Sequence, residues 1–179
     1  MNKSIYDNPN NSSDINRHIL TILVDNEPGV LARVIGMFSG RGYNIDSLNV
    51  AEVGKNHLSR ITIVTHGTDG VIEQIQSQLM RIVPVHSVNN LDQEDSSAEA
   101  EVALVNMFIN DQNKKKVYQI CDLYRARKIE NEHNSIIFEI AGTSERIDTF
   151  IKEIKVITDI DIVRSGPVAI SLLEKNLDS

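Results

Sequence analysis

The sequence predicts an α+β protein built from two ferredoxin-like domains, each with the element order β-α-β-β-α-β. Short runs of branched apolar residues alternate with stretches in which apolar residues recur at helical spacing. This order of elements occurs twice in 179 residues, and an acidic stretch without periodicity separates the two copies. A hydrophobic fraction of 41% supplies enough apolar residues for two small cores.

The first domain is predicted over residues 18–92, after a flexible polar tail at 1–17. Its first strand, at 18–24, leads into a turn in which Asn26 is a plausible helix cap and Pro28 suits the first helical turn. The buried face of the following helix consists of Val30, Leu31, Val34, Ile35 and Phe38.

Three glycines mark the course and the end of that helix. We attribute Gly36 to close packing of the helix on its sheet, because a helical glycine costs up to about 1 kcal/mol relative to alanine. Gly40 and Gly42 end the helix, and Gly42 occupies a position where a left-handed residue is common.

The remainder of the first domain is a hairpin, a helix and a closing strand. Strands at 43–53 and 57–65 are joined by a loop at 54–56. The strand at 83–89 carries Pro84 near its start, which suits an edge position. The second helix is indicated by an apolar stripe of Val71, Ile72, Ile75 and Leu79.

The second domain is predicted over residues 101–174, between a linker at 93–100 and a tail at 175–179. Either Thr143 or Ser144 opens its last helix. Its helices carry the apolar residues Val117, Ile120, Cys121, Tyr124, Ile147, Phe150, Ile151 and Ile154. Its strands are expected at 102–109, 127–131, 136–140, 159–163 and 168–172.

Charge and aromatic content argue against a nucleic-acid-binding protein. The net charge is −7 and the pI is near 5.2, whereas phosphate-backbone affinity requires clustered Lys and Arg. The lysines at 114–116 are interpreted as a solvated helix face. Four Phe, four Tyr and no Trp supply a base-stacking surface poorly.

No catalytic, metal or membrane signal is present in the sequence. Cys121 is the single cysteine and is expected to be a buried thiol, and the five histidines lack ligand spacing. The sequence contains neither a phosphate-binding P-loop nor a dinucleotide fingerprint. Apolar runs are shorter than the roughly 18 residues that cross a bilayer. Residues 1–17 fit neither a secretory nor an Arg-rich transit peptide, so we expect a cytoplasmic protein.

The candidate binding site is the turn before the first helix. Unpaired N–H groups at a helix N-terminus attract a carboxylate. Asn44 follows at the predicted start of the second strand, and its amide can both donate and accept. Edge-to-edge pairing of two chains would bring Asn44 of one near the turn of the other, with Val30 and Ile45 as apolar walls. Such a site suits a small aliphatic amino acid.

Four strings of the sequence resemble a known family, namely NEPGVL at 26–31, RVIGMF at 33–38, RGYNIDSL at 41–48 and LSRIT at 58–62. They resemble the ACT domain of the family of regulatory small subunits of acetolactate synthase, an enzyme also called acetohydroxyacid synthase. A weaker match continues through 124–126, 141–143 and 164–166. The resemblance covers roughly residues 18–172, nearly the whole family length.

This resemblance implies a non-catalytic homodimer that activates a catalytic large subunit and confers feedback inhibition by valine, or by leucine or isoleucine. Thiamine diphosphate, Mg²⁺ and FAD would belong to the catalytic subunit, with none in this chain. The effector would lie between two ACT domains. Its site would comprise Asn26, Gly29, Val30 and Leu31 of one chain, with Asn44 and Ile45 of its partner.

Two alternatives remain at this point. A stand-alone ACT-type amino-acid sensor could regulate another enzyme or transcription, although no helix-turn-helix or basic face is evident. An acylphosphatase-like hydrolase on the same fold would need an Arg-bearing loop after the first strand. This chain has the acidic Asp25 and Glu27 there.

Overall fold

The computed structural model describes residues 14–54, 57–93, 97–132 and 134–171. They form two compact units, one containing the residues up to Ser97 together with those from Ala169, and the other containing Ala98–Val168. Most of the predicted N-terminal tail, residues 55 and 56 of the hairpin loop and the predicted C-terminal tail lie outside the described residues.

The first unit has the predicted β-α-β-β-α-β order. Its four strands form an antiparallel sheet in the order β2-β3-β1-β4. The elements are β1 Asn16–Asp25, α1 Val30–Gly40, β2 Ser47–Val53, β3 Leu58–Gly67, α2 Asp69–Leu79 and β4 Val85–Asn90.

The core of the first unit lies between the two helices and one sheet face. The β1–β3 register places Leu20 opposite Ile63 and Ile22 opposite Ile61. All four side chains are fully buried against Phe38 of α1 and against the apolar stripe of α2. Because side chains alternate across a strand, the other face is left for a separate cluster of Ile19, Val64, Leu91 and Ala169.

The second unit repeats this order, which confirms the duplicated ferredoxin-like fold. Four of its strands form a sheet in the order β6-β7-β5-β8. The elements are β5 Ser97–Phe108, α3 Lys114–Leu123, β6 Arg127–Glu132, β7 Ser135–Gly142, α4 Ser144–Lys155 and β8 Ile160–Arg164. A last strand, β9 Val168–Ser171, belongs to the first unit from Ala169 onward. Thr143 caps α4 by accepting a hydrogen bond from the Arg146 amide at 3.3 Å, so the first of the two expected caps is used.

The predicted linker is too long at its C-terminal end. Residues 97–100 belong to β5, which begins at Ser97. Serine, alanine and glutamate have weak strand propensity, so these residues do not predict a strand. Glu101, which starts the predicted domain, is buried and pairs with Arg164 on β8.

Three other strands begin two or more residues away from the predicted start. β1 begins at Asn16, inside the predicted tail, because Asn16 pairs with Gly67 on β3. β2 begins at Ser47 rather than at Tyr43, whose amide donates to the Phe38 carbonyl at 3.0 Å and so closes the end of α1. β4 begins at Val85, after Pro84, on an edge of the sheet.

The packing explanation for Gly36 is wrong. A Cβ atom placed on Gly36 would meet no atom within 4 Å, and the residue is exposed. The prediction for Cys121 is confirmed, since the thiol is fully buried. Burial, with a smaller contribution from Asp122, raises the pKa of this thiol to about 12. Gly42 is left-handed as predicted, with φ of 71°.

Candidate functional site

The turn before α1 is built around Gly29 rather than Asn26. Gly29 is the helix cap, with a left-handed φ of 86° that side-chain-bearing residues rarely adopt. Asn26 is therefore wrong as the cap, and Pro28 precedes the helix instead of occupying its first turn. Asn26 is exposed, and its amide donates to the His57 carbonyl at 2.6 Å, which ties the turn to the start of β3.

The first turn of α1 is open to an anion. Gly29 has no side chain that could bond the helical N–H groups that follow it, and the Val30 amide donates to the Glu27 carbonyl at 3.3 Å. The first turn also contains no acidic residue. By contrast, α4 has both the Thr143 cap and Glu145 in its first turn. Beyond the Val30 amide, the N-terminus of α1 thus presents helical N–H groups and a positive dipole end, which favour a carboxylate.

The predicted apolar walls also belong to the core of the first unit. Val30 is buried, with 6% of its surface exposed, and packs in the same cluster as Phe38. Leu31 and Ile45 are half-buried and pack against that cluster. Because each side chain is anchored by the core, its remaining exposed surface has a fixed position next to the turn or next to Asn44.

Asn44 belongs to a small polar network that the sequence analysis did not identify. Its Nδ2 donates to Asp46 Oδ1 at 2.6 Å, and the other Asp46 oxygen lies 2.6 Å from His66 Nδ1. The Asn44 carbonyl accepts a hydrogen bond from the Thr65 hydroxyl at 2.6 Å. Since the Asn44 nitrogen is engaged by Asp46, its side-chain oxygen remains as an acceptor. An acceptor of this kind suits an ammonium group.

The turn and Asn44 lie near opposite ends of the same strand. The turn is bonded to His57, immediately before β3, whereas Asn44 is bonded to Thr65 near the other end of β3. Leu58 and Thr65 are seven residues apart, which corresponds to about 23 Å. One chain therefore does not bring together the two halves of the predicted site.

Sequence signals for the missed residues are weak. Asp46 follows Asn44 by two positions, which is a common spacing for local side-chain hydrogen bonds. His66 reaches Asp46 only because β3 pairs with the chain entering β2, and the Asp46 amide donates to Val64 at 2.9 Å. Pairing of this kind is a tertiary feature.

Within the part of the chain that the structure describes, none of the helices has the length and apolar character that a membrane span requires. The His, Cys, Asp and Glu side chains described form no group of three or more that could hold a metal ion.

Comparison with known proteins identifies the family. A family model described as an AHAS small subunit-like ACT domain matches residues 20–87, and one described as the small subunit of acetolactate synthase matches residues 100–172. The acetolactate synthase small subunit of Haemophilus influenzae is 36% identical over 90% of this chain and 99% of its own length. The isozyme 3 small subunit of Escherichia coli is 39% identical over 89% of this chain and 98% of its own length.

A solved structure agrees with the sequence matches. The crystal structure of the acetolactate synthase small subunit from Thermotoga maritima superposes with a TM-score of 0.77 and 31% identity. The superposition covers 89% of this chain and 99% of that chain. With both units matched by sequence and by fold, the chain belongs to the acetolactate synthase small-subunit family and carries an ACT domain as its first unit.

Proposed function

We propose that this chain is a non-catalytic regulatory subunit that binds the acetolactate synthase catalytic subunit, raises its activity and makes it sensitive to valine or a related branched-chain amino acid. The observation that carries the proposal is the match of both units to small subunits of acetolactate synthase. Thiamine diphosphate, Mg²⁺ and FAD would be held by the catalytic subunit.

The geometry of the first unit supports an effector site shared by two chains. β2 is an edge strand that contains neither Lys nor Pro, the residues that commonly protect a free edge, and its Val50 is 46% exposed. If two copies of β2 pair antiparallel about Val50, Ser47 lies opposite Val53 of the second copy. This arrangement brings Asn44 toward the hairpin end of the second copy. There, the His57 carbonyl bonds the turn before α1, which we call the effector turn.

In the proposed site, one chain binds the carboxylate of the amino acid and the other chain binds its ammonium group. The α1 N-terminus after Gly29 receives the carboxylate, with Asn26 beside it. The side-chain oxygen of Asn44 from the second chain accepts the ammonium group. Val30 and Leu31 of one chain, with Ile45 of the other, contact the aliphatic side chain.

The effector site is tested by replacing Gly29 with Asp and, as a matched control, with Asn. Both side chains have the same shape and tolerate a left-handed backbone, but only Asp places a negative charge at the carboxylate site. Calorimetric titration with valine, leucine and isoleucine should show at least tenfold weaker binding for G29D than for G29N. Equal affinities for the two variants would refute the proposed position of the carboxylate.

The partnership is tested by reconstitution with the catalytic subunit from the same organism. Adding the wild-type chain should raise acetolactate formation, and valine should then lower it. Allosteric couplings are typically about 1–3 kcal/mol, which corresponds to a five- to 150-fold effect. The G29D chain should still activate but should lose valine sensitivity. A wild-type chain that neither binds nor activates the catalytic subunit would refute the regulatory role.

A further inference from the structure

The second unit contains a polar cavity at the turn that follows its first strand. The cavity has a volume of about 490 Å³, within the usual range for small-molecule sites. It lies where β5 leads into α3, the position in the second unit that corresponds to the effector turn of the first unit. Its lining residues are Ile109, Asn110, Asp111, Lys114, Tyr118, Lys128, Asn134 and Ile136.

Two lysines from separate elements line this cavity. Lys114 is the first residue of α3, and Lys128 lies on β6. Neither ammonium group forms an ion pair with any side chain that the structure describes. Asp111 is the one described acidic residue in the lining, so the lining carries a net positive charge within a chain of net charge −7.

The remaining lining combines polar donors with an apolar floor. Tyr118 lies one helical turn after Lys114, and its ring packs edge-on against Phe138 at a centroid distance of 5.8 Å. Ile136, 2% exposed, and the half-buried Ile109 belong to or pack against the core of the second unit. The cavity therefore has a rigid floor and carries its positive charge on two flexible side chains.

The rim is held by hydrogen bonds within the turn. Asn110 Oδ1 accepts from the amides of Gln112 and Asn113, each at 3.0 Å. Asn113 Oδ1 accepts from the Asn110 amide at 2.8 Å, and Ile109 donates to the Asn134 carbonyl at 2.7 Å. These bonds fix the backbone of the rim, which lowers the part of the entropic cost of binding that comes from ordering the turn.

We propose that this cavity binds a small anion bearing a phosphate or carboxylate group, which Lys114 and Lys128 hold between them. Charge-assisted hydrogen bonds from two ammonium groups are the strongest contacts that the lining offers. Asp111 and the acidic chain as a whole disfavour a polyanion such as nucleic acid. This site is independent of the proposed valine site in the first unit and gives the second unit a ligand of its own.

The test uses the full chain, uniformly labelled with ¹⁵N, titrated separately with inorganic phosphate and with succinate at constant ionic strength. We expect saturable shifts of the amide signals of Asp111, Lys114 and Lys128 with at least one of the two anions. The anion that saturates at the lower concentration identifies the preferred group. A site with a dissociation constant of about 1 mM would be nine-tenths filled at about 10 mM. Shifts that remain linear with both anions to that concentration would overturn the proposal.

Two matched double variants distinguish anion binding at this cavity from a response to the net charge of the chain. K114Q/K128Q and K152Q/K155Q remove the same charge, but Lys152 and Lys155 are exposed in the last turn of α4, outside the cavity lining. The first variant should bind at least about tenfold more weakly, and the second should bind like wild type. Equal losses in both would mean that the anion responds to net charge alone, and the site would be rejected.

Asp111→Asn provides a test of opposite sign. Removing the negative charge from the lining should tighten anion binding several-fold, with the same amides shifting. Asp111 is exposed and accepts no hydrogen bond from a described residue, so the turn should retain its shape. Unchanged or weaker binding in this variant would contradict the assignment of the anion to this cavity.

Discussion

Replacing Arg164 with Met should destabilise the second unit by about 3 kcal/mol. Arg164 donates to both oxygens of Glu101, at 2.6 and 2.9 Å, and to Asp148 at 2.6 Å. The Glu101 side chain is only 2% exposed, so the variant leaves a buried carboxylate without its cation. Breaking a buried pair on one side costs about 3–5 kcal/mol. The lower end applies because Arg164 itself is 34% exposed and Ser144 still donates to Glu101 at 2.9 Å.

The pH dependence of this loss follows from Glu101. Burial alone would raise the pKa of this carboxyl, but the hydrogen bonds from Arg164 and Ser144 lower it below its ordinary value. In the wild type, the pair therefore stabilises the fold fully above the pKa of Glu101 in the unfolded chain, about 4.3. This stabilisation is lost as the pH falls through the lower pKa of Glu101 in the folded chain. Without Arg164, burial should raise the pKa of Glu101, and the variant should be least destabilised at low pH.

The assay is hydrogen exchange of the β5, β7 and β8 amides, which reports on the second unit alone, at several pH values. The exposed pair of Arg127 and Glu139 provides the control, because R127M removes an ion pair that solvent already screens. R127M should cost far less than R164M. An R164M chain as stable as R127M would refute the stabilising role of the buried pair, and so would a destabilisation that grows as the pH falls from 7 toward 4.

Three further predictions concern single side chains. Thr143→Ala should cost about 1 kcal/mol in chemical unfolding, because the α4 cap is lost; Thr143→Ser should restore it, and no loss would contradict the cap. Cys121 should resist iodoacetamide at pH 8 in the folded chain and react in urea, since its pKa is about 12; rapid native labelling would contradict its burial. Gly36→Ala should stabilise the isolated chain by up to about 1 kcal/mol, as its Cβ meets no atom; a thermal-unfolding midpoint below wild type would show that this helix face is covered.

Apolar periodicity was sufficient to predict the elements of both units, because each element buries one face in a core. Val71, Ile72, Ile75 and Leu79 identified α2, and all four are in or against the core of the first unit. The start of β5 was missed for a physical reason. Residues 97–100 lack strand-forming side chains, and Glu101 is neutralised by an arginine 63 residues away.

The site was predicted in part. The sequence located the turn and Asn44, but it assigned the cap to Asn26 on side-chain preference. In the structure, the left-handed Gly29 opens the helix, because the chain leaves β1 through a turn bonded to His57. The hydrogen bond from Thr65 to the Asn44 carbonyl and the contact between His66 and Asp46 depend on β2–β3 pairing, which residue spacing does not specify.

Dimerisation and effector binding should be linked in this chain. Among the described residues, the Gly29 cap of α1 supplies no side-chain acceptor, and β2 is an edge strand of its sheet. Pairing along β2 would satisfy the edge and bring Asn44 of one copy to the turn of the other, so that an amino acid bridges both. If the site is shared in this way, reciprocity requires that valine strengthen dimerisation by the factor by which dimerisation strengthens valine binding. Analytical ultracentrifugation with and without valine measures the first factor. A dimer dissociation constant unchanged by saturating valine would exclude a site shared between two chains.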